Sequence, residues 1–315
     1  MLRKLSVVVC TKDRHESLDR CLKSLKKQTY KDFELLVVST PSEKSKEICK
    51  KHGANYIEEE KKGRCVARNT GIMKSNGEII VFLDDDTEAE NDCVGKILEC
   101  YTSESIGSVG GNENNPRNPA KLNVFQKAKN FILRDVNPFL RIKKMDVRNS
   151  GRVTGSFKEN MGKITEAKHV KGSVMSFRKK ALLSIRGFDT WFDKTSHREE
   201  TDVCVRLRKK GYRILYNPYA KVVHHSENQG REGRFDFLYN NYKQHQYFVF
   251  KNNLIRFSGL PEYALGELLE ILALFIYVLF EKDFMYLLLI KAKLEGISEG
   301  IKARYKKGIY GDIRL

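Results

Sequence analysis

Glu78-Ile79-Ile80-Val81-Phe82-Leu83-Asp84-Asp85-Asp86 is the stretch on which the reading of this 315-residue chain turns. Five apolar residues, bounded by Gly77 and by an acidic cluster, read as a strand buried on both faces. Three adjacent carboxylates at its end repel one another. A divalent cation bridging to phosphate oxygens removes that conflict, because hard cations prefer such oxygen ligands. A solvated acidic loop after a strand is the plainer alternative.

Outward from that stretch, strand and helix patterns alternate. Leu5 to Cys10 is an apolar, β-branched run, followed by the polar loop Thr11-Lys12-Asp13-Arg14. Leu18, Cys21, Leu22 and Leu25 form one stripe of an amphipathic helix. Phe33 to Ser39 reads as a second strand, Ser42 to Lys51 as a helix, Ala54 to Ile57 as a third strand, and Lys62 to Lys74 as a further helix. Such alternation predicts an α/β fold: a mixed, mostly parallel sheet with helices on both faces. Ligands bind outside the carboxyl ends of parallel strands, so the acids, Thr11 and Ser39 are expected along one rim.

From Gly110 to Lys168 the pattern breaks into Asn, Gly, Pro and basic residues, with one helical stretch near Leu122 to Leu133. A connection that long is expected to carry function. Val170 to Phe177 restores a strand, Lys179 to Ile185 a helix ending at Gly187, and Glu199 to Lys210 another helix. Arg213 to Asn217 and Ala220 to His225 read as two strands.

Basic residues outnumber acidic ones by 58 to 40, a net charge of +18 that favours polyanionic partners. Hydrophobic content of 41% describes a globular chain rather than a disordered one. Seven scattered cysteines form no CxxC pair, which argues against a structural zinc site or a disulfide framework and for a reducing cytosol. Met1 to Leu5 runs straight into a strand pattern, so no signal peptide is expected.

Six stretches in order resemble glycosyltransferase family 2, a GT-A fold: VVVCTKDR, CLKSLKKQT, GRCVARNTGIMKSNGEIIVFLDDDT, KGSVMSFRKKALLSIRGFDTWF, REETDVCVRLRKKGYRI and NPYAKVVHH. The resemblance covers roughly two-thirds of the chain. It implies a GT-A domain over 1–258, with a nucleotide-sugar half (1–109) and an acceptor half (110–258), followed by a helical appendage over 259–315. It also implies a nucleoside-diphosphate sugar as donor and Mn2+ or Mg2+ as cofactor.

By the same resemblance, Asp84 and Asp86 match the ends of an Asp-x-Asp motif, Asp84 toward the ribose and Asp86 toward the metal. Asp85 is the least defined of the three. Arg68 matches an arginine directed at this cluster, and Thr11 and Asp13 match a loop that cups the base. Ser39 stands where the family usually has an aspartate, so uracil is not implied. Glu199-Glu200-Thr201-Asp202 matches the catalytic acidic motif, with Glu200 in the register of the base. A sugar hydroxyl is a weak nucleophile and needs such a carboxylate to accept its proton. Residues 199 and 202 can share a helix face and 200 cannot join them, so one acid is expected to be a first-turn helix charge. His224 is the matching metal ligand and suits manganese better than magnesium. A rim histidine is the alternative, and His225 points to the opposite face. Gly172 and Trp191 are expected on the acceptor side, with core packing the other reading for Trp191.

Ile271 to Phe280 and Phe284 to Ile290 are apolar runs, each shorter than a bilayer span, and Glu267, Glu270 and the 281–283 cluster oppose one. They read either as a helical pair buried against the catalytic domain or as one lying in a membrane interface. The basic flanks (Lys291, Lys293, Lys302, Arg304, Lys306, Lys307) suit anionic headgroups.

Together these features predict a metal-dependent inverting glycosyltransferase that acts on a lipid-linked or polysaccharide acceptor. It is expected in the cytoplasm, peripheral to the membrane. A nucleotidyltransferase is the first rival, yet CTKDRHES has no glycine for a phosphate loop. A non-catalytic binding protein is the second, although no identifiable module interleaves aromatic and basic residues as a nucleic-acid reader does, and no specific nucleic acid is expected.

Overall fold

The computed structural model describes residues 4–114, 146–154, 162–193, 197–225 and 233–305. The described parts of Met1–Pro116 and Phe157–Gly230 form one compact unit, and those of Arg117–Ser156 and Arg231–Ile309 a second.

In the first unit the chain runs β1 (Leu5–Thr11), α1 (His15–Lys26), β2 (Phe33–Ser39), α2 (Glu43–His52), β3 (Asn55–Glu58) and α3 (Arg64–Lys74). It continues as β4 (Ile79–Asp84), β5 (Thr87–Ala89), α4 (Cys93–Glu99) and β6 (Ile106–Asn114). A short hairpin of the second unit, β7 (Asp146–Val147) and β8 (Val153–Thr154), comes next in sequence. The first unit resumes with β9 (Thr165–Ala167), β10 (Val174–Arg178), α5 (Lys179–Ser184), a 3-10 turn Thr190–Asp193, α6 (Glu199–Lys209) and β11 (Arg213–His224).

Among the described residues, nine strands make one sheet in the order β3-β2-β1-β4-β10-β6-β11-β5, with β9 added on β11. The first four run parallel, as do β6 and β11. β10 runs antiparallel between β4 and β6. Alternation divides the buried strand residues between the two faces. Val7, Val9, Val81 and Leu83 pack with Leu18, Cys21, Leu22 and Leu25 of α1 and with Val94 and Ile97 of α4. On the other face Phe82 meets Phe177 and Phe188 edge-on, at centroid distances of 6.2 and 5.6 Å. The apolar run ahead of the acids is therefore covered on both sides, as its composition predicts. All seven cysteines are free, and six are buried.

Two strand readings are corrected. Residues 213–217 and 220–225 are not separate strands: β11 is continuous from Arg213 to His224, with a register shift between Tyr216 and Lys221. Pro218 lies in that irregularity, where a missing amide donor is tolerated. The segment from Gly110 does not begin irregularly either, because β6 extends to Asn114. A Cβ on Gly111 would sit 2.5 Å from the Ala220 carbonyl oxygen and 2.8 Å from Val174, so tight packing puts glycine in a strand. The expected helix near Leu122 to Leu133 lies outside the described residues.

Among its described residues the second unit holds the hairpin and three α-helices, α7 (Arg234–Lys251), α8 (Leu260–Glu281) and α9 (Leu288–Tyr305). α7 and α9 pack backbone to backbone: a Cβ on Gly296 would lie 2.2 Å from the Lys243 carbonyl oxygen, and one on Gly300 2.8 Å from that of Tyr247. A boundary after residue 258 would separate these two helices, so by packing 234–251 groups with the C-terminal helices. The expectation of short apolar runs is also corrected. α8 is one helix, and Phe257–Phe280 is long and apolar enough to cross a membrane by length and composition, with a mean hydropathy of 2.0.

Candidate active site

The rim at the carboxyl ends of β1, β2 and β4 assembles as the alternation predicts. Register pairs Thr11 with Ser39 and Cys10 with Asp84. Each acid of the triplet then takes a different partner. Asp84 Oδ1 lies 3.4 Å from Arg68 Nη2, and the same guanidinium donates through Nη1 to Glu199 Oε1 at 2.7 Å. Asp85 Oδ2 accepts from the Thr11 hydroxyl at 2.6 Å, and Oδ1 is 3.2 Å from Arg14 Nη1. Asp86 Oδ2 accepts from Arg14 Nη1 at 2.9 Å, and Oδ1 lies 3.0 Å from His224 Nε2. Asp85, the least defined by sequence, is 2% exposed and forms the floor that fixes the loop after β1. Burial raises its carboxyl to about 6, against the pull of the Arg14 charge and the Thr11 hydrogen bond.

His224 reaches the acids because β5 pairs antiparallel with the end of β11, setting His224 opposite Thr87. Its Nδ1 lies 3.3 Å from Glu113 Oε1, close enough for an ion pair though not aligned as a hydrogen bond. Glu113 is held by the Ser173 hydroxyl at 2.6 Å and by Lys171 Nζ at 3.3 Å. Burial works against an imidazolium, but the contacts with Asp86 and Glu113 outweigh it and raise His224 to about 10. Glu113 falls to about 2: burial pushes it up, and His224, Lys171 and Ser173 more than offset that. His225 points elsewhere, with Nε2 2.9 Å from Glu88 Oε1.

Asp84, Asp86 and His224 each offer a ligand atom, and these atoms lie within 4.8 Å of one another. Two carboxylate oxygens and an imidazole nitrogen suit Mn2+, and Glu113 behind His224 supplies the outer partner that orients such a ligand. The residues fit a divalent cation.

The acidic motif opens α6. Arg198, just before it, has φ 80, a left-handed conformation uncommon for a residue with a side chain. Glu199 is buried and joined to Arg68. Burial first, then the charge of Glu200, push its carboxyl up to about 8 against Arg68. Asp202 is fully buried and accepts from Arg206 Nε at 2.7 Å one turn along, while Arg206 Nη1 donates to the Ile185 carbonyl. Glu200, on the other face, is only half-buried, and its Oε1 receives the Thr201 hydroxyl at 3.3 Å.

Gly172 borders this cluster, its absent Cβ 3.4 Å from Arg68 Nη2 and 3.8 Å from Glu199 Oε1. Trp191 is half-exposed in the 3-10 turn and meets Phe192 edge-on at 5.9 Å. That turn is tied to α3 by Asn69, which donates to the Phe188 carbonyl at 2.9 Å and accepts from its amide at 2.8 Å. Asp193 Oδ1 accepts the Cys65 amide at 2.5 Å at the start of the same helix. Ser39 is buried, its hydroxyl donating to the Thr40 carbonyl at 2.7 Å. Asp13 is exposed, with φ 55. Sequence reasoning did not single out Glu113, Lys171, Ser173 or Arg14. Of these only Glu113 lay outside the quoted motifs.

Fold and rim together define a GT-A protein. The solved mannosyltransferase PcManGT from Pyrobaculum calidifontis, a complex with GDP-Man and Mn2+, has the same fold at a TM-score of 0.56 and 16% identity, covering 97% of this chain and 88% of that one. The model of glycosyl transferase family 2 matches residues 6–166, just over half of the sequence, and the chain belongs to that family. A glucosyl-dolichyl phosphate glucuronosyltransferase of Haloferax volcanii is 26% identical over 234 residues, 70% of this chain and 69% of that protein. The GalNAc(5)-diNAcBac-PP-undecaprenol beta-1,3-glucosyltransferase of Campylobacter jejuni is 29% identical over 121 residues, 35% of this chain and 38% of its own length.

Proposed function

We propose that this glycosyltransferase is metal-dependent and inverting, and that it moves a sugar from a nucleoside-diphosphate donor to a hydroxyl of a lipid-linked or polysaccharide acceptor. The observation that carries the reading is the convergence of Asp84, Asp86 and His224 at the end of β4, with Arg68 and Glu199 behind them. Asp86 and His224 would hold the cation, with Asp84 on the ribose side of the same cluster. A bound divalent cation offsets the charge that develops on a departing diphosphate. Thr11, Asp13 and Ser39 line the base end, and Arg68 adds a fixed positive charge near the phosphates.

Glu200 is our base. Of the three acids in its motif, it is the one neither buried nor held by an arginine. It accepts the proton of the acceptor hydroxyl as that oxygen bonds to the anomeric carbon and the bond to the diphosphate breaks. Attack from the face opposite the leaving group inverts the centre. Glu199 positions Arg68, and Asp202 anchors α6 through Arg206. Gly172 and Trp191 shape the acceptor side.

The acceptor class rests on the two relatives named for dolichyl- and undecaprenyl-linked substrates. It fits a cytoplasmic enzyme working against a membrane. Thermal unfolding with UDP, GDP, dTDP and CDP, each with and without Mn2+, tests the reading. Manganese-dependent stabilisation by one diphosphate supports it and identifies the base, and no response to any of the four refutes it.

A further inference from the structure

α8 is apolar on two faces: Leu274, Tyr277 and Val278 are buried in a core cluster, and a second apolar face is exposed. In a helix of a water-soluble unit, apolar residues face the core and charges face water. Here Leu268, Leu272, Phe275 and Leu279, spaced along one side of the helix, are 63%, 50%, 46% and 77% exposed. Phe284, in the turn that follows, is 72% exposed. The described acids of the helix turn the other way. Glu262 pairs with Arg148 at 3.2 Å, and Glu267 and Glu270 both hold Lys293 of α9, at 2.7 and 2.6 Å. These are two of the charges that the sequence reading set against a membrane. In the structure they face protein, and the continuous apolar stripe faces out.

The stripe from Leu268 to Leu279 runs about 16 Å along a 22-residue helix and continues into Phe284, more than an incidental patch. Its surroundings indicate what covers it. Lys282, Lys302 and Arg304 are exposed at the ends of α8 and α9, and Lys291 exposes 67% of its side chain. The nearby acids of α9 are each matched by a lysine: Glu295 by Lys243 at 2.6 Å, and Glu299 by Lys302 at 3.0 Å. An apolar stripe rimmed by basic side chains is complementary to a bilayer with anionic headgroups.

The same contacts decide the orientation. Because Lys293 meets Glu267 and Glu270, the exposed Lys291 stands level with the middle of α8. A transmembrane α8 with α9 beside it would carry that lysine to the bilayer centre, where a charge is expensive. Lying in the interface, α8 buries its stripe and leaves Lys291 among the headgroups.

We infer that α8 and the turn after it are an in-plane membrane seat, docking this protein on an anionic lipid surface through Leu268, Leu272, Phe275, Leu279 and Phe284. The inference concerns the second unit alone and does not rest on the donor, the metal or the catalytic base.

Flotation of the full chain with phosphatidylglycerol/phosphatidylcholine vesicles tests it. The wild type is expected in the floating fraction, more weakly with phosphatidylcholine alone. The triple variant L268E/L272E/L279E is expected to partition roughly a hundredfold less or worse. Its melting temperature and nucleoside-diphosphate response serve as controls for folding. Should the triple variant not fold, K291E/K302E, which leaves the stripe intact, is expected to weaken binding to the anionic vesicles alone. Orientation is read with brominated lipids in a W191F background carrying L268W or L279W. These sites are about 16 Å apart along the helix, and an in-plane seat gives them the same depth. A wild type that stays at the bottom overturns the inference. So does a triple variant that floats like the wild type, a depth difference that follows the helix axis, or a stripe that proves to be a dimer interface in vesicle-free solution.

Discussion

Glu200→Gln and Asp202→Asn remove one negative charge each from the same turn of α6, and the structure gives them opposite signatures. Glu200 is half-buried, and its carboxylate accepts the Thr201 hydroxyl at 3.3 Å. An amide oxygen accepts that bond as well, so stability is expected to change by no more than about 0.5 kcal/mol, as for ordinary surface substitutions. Turnover loses its proton acceptor, a loss of roughly 10²- to 10⁴-fold for general-base catalysis. That range corresponds to about 3–5 kcal/mol of transition-state stabilisation. Asp202 is fully buried against Arg206 at 2.7 Å. Its neutral replacement takes the carboxylate charge from a buried guanidinium that also donates to the Ile185 carbonyl, and breaking such a pair costs about 3–5 kcal/mol. At about 2–4 °C per kcal/mol for a unit of this size, D202N is expected to melt roughly 6–20 °C lower. Below its own melting point it should retain most of the wild-type kcat. The assay is kcat by nucleoside-diphosphate release beside calorimetric melting on the same preparations. A D202N protein that melts like the wild type yet fails to turn over refutes the assignment, as does an E200Q protein that still turns over.

Other consequences are read with simpler measurements. Asp86→Asn or His224→Ala should abolish manganese-dependent stabilisation by the nucleoside diphosphate, and thermal unfolding with and without the ion checks this. Glu113→Gln should weaken Mn2+ binding by about 10- to 100-fold without touching the ion, the usual loss for an outer partner of a ligating histidine; paramagnetic titration measures it. Asn69→Ala strands the amide and carbonyl of Phe188 and should destabilise by about 2–6 kcal/mol, at roughly 1–3 kcal/mol for each orphaned group, read as a lowered melting temperature. Asp85 gives a pH dependence. Its folded carboxyl sits at about 6, above the ordinary 3.8, so the native state binds more protons than the unfolded state between those values. Stability of the metal-free protein should therefore fall as pH rises through that window, by up to about 3 kcal/mol, and Asp85→Asn should flatten the profile.

The parallel half of the sheet was legible because its signals are local. Apolar runs, the α1 stripe and the acids at the end of β4 all lie within a few residues of one another. Glu113 was not legible, because its partners Lys171, Ser173 and His224 lie 58 to 111 positions away and meet it only once β6, β10 and β11 are side by side. The glycines of β6 hid a strand, since close packing rather than propensity selects them. Pro218 hid the continuity of β11. Helical spacing anticipated that Glu199 and Asp202 would share a face without Glu200, but only the arginines show which of the acids are already engaged. The apolar runs after residue 260 were visible, whereas the inward turn of Glu267 and Glu270 depends on Lys293, more than 20 residues away.

The hairpin β7–β8 has a consequence for synthesis. Arg148 pairs with Glu262, and Asn149 accepts the Arg256 amide at 2.7 Å and donates to the Ser258 hydroxyl at 3.1 Å. These partners leave the ribosome roughly 100 residues after the hairpin, a wait of about 5–20 s at common translation rates. Throughout that interval the hairpin exists without the helices that hold it, while the strands of the sheet on both sides of it in sequence are being completed. A stop codon placed just after β11 would yield a chain whose middle has lost its partners, so the C-terminal helices are needed by a segment made long before them.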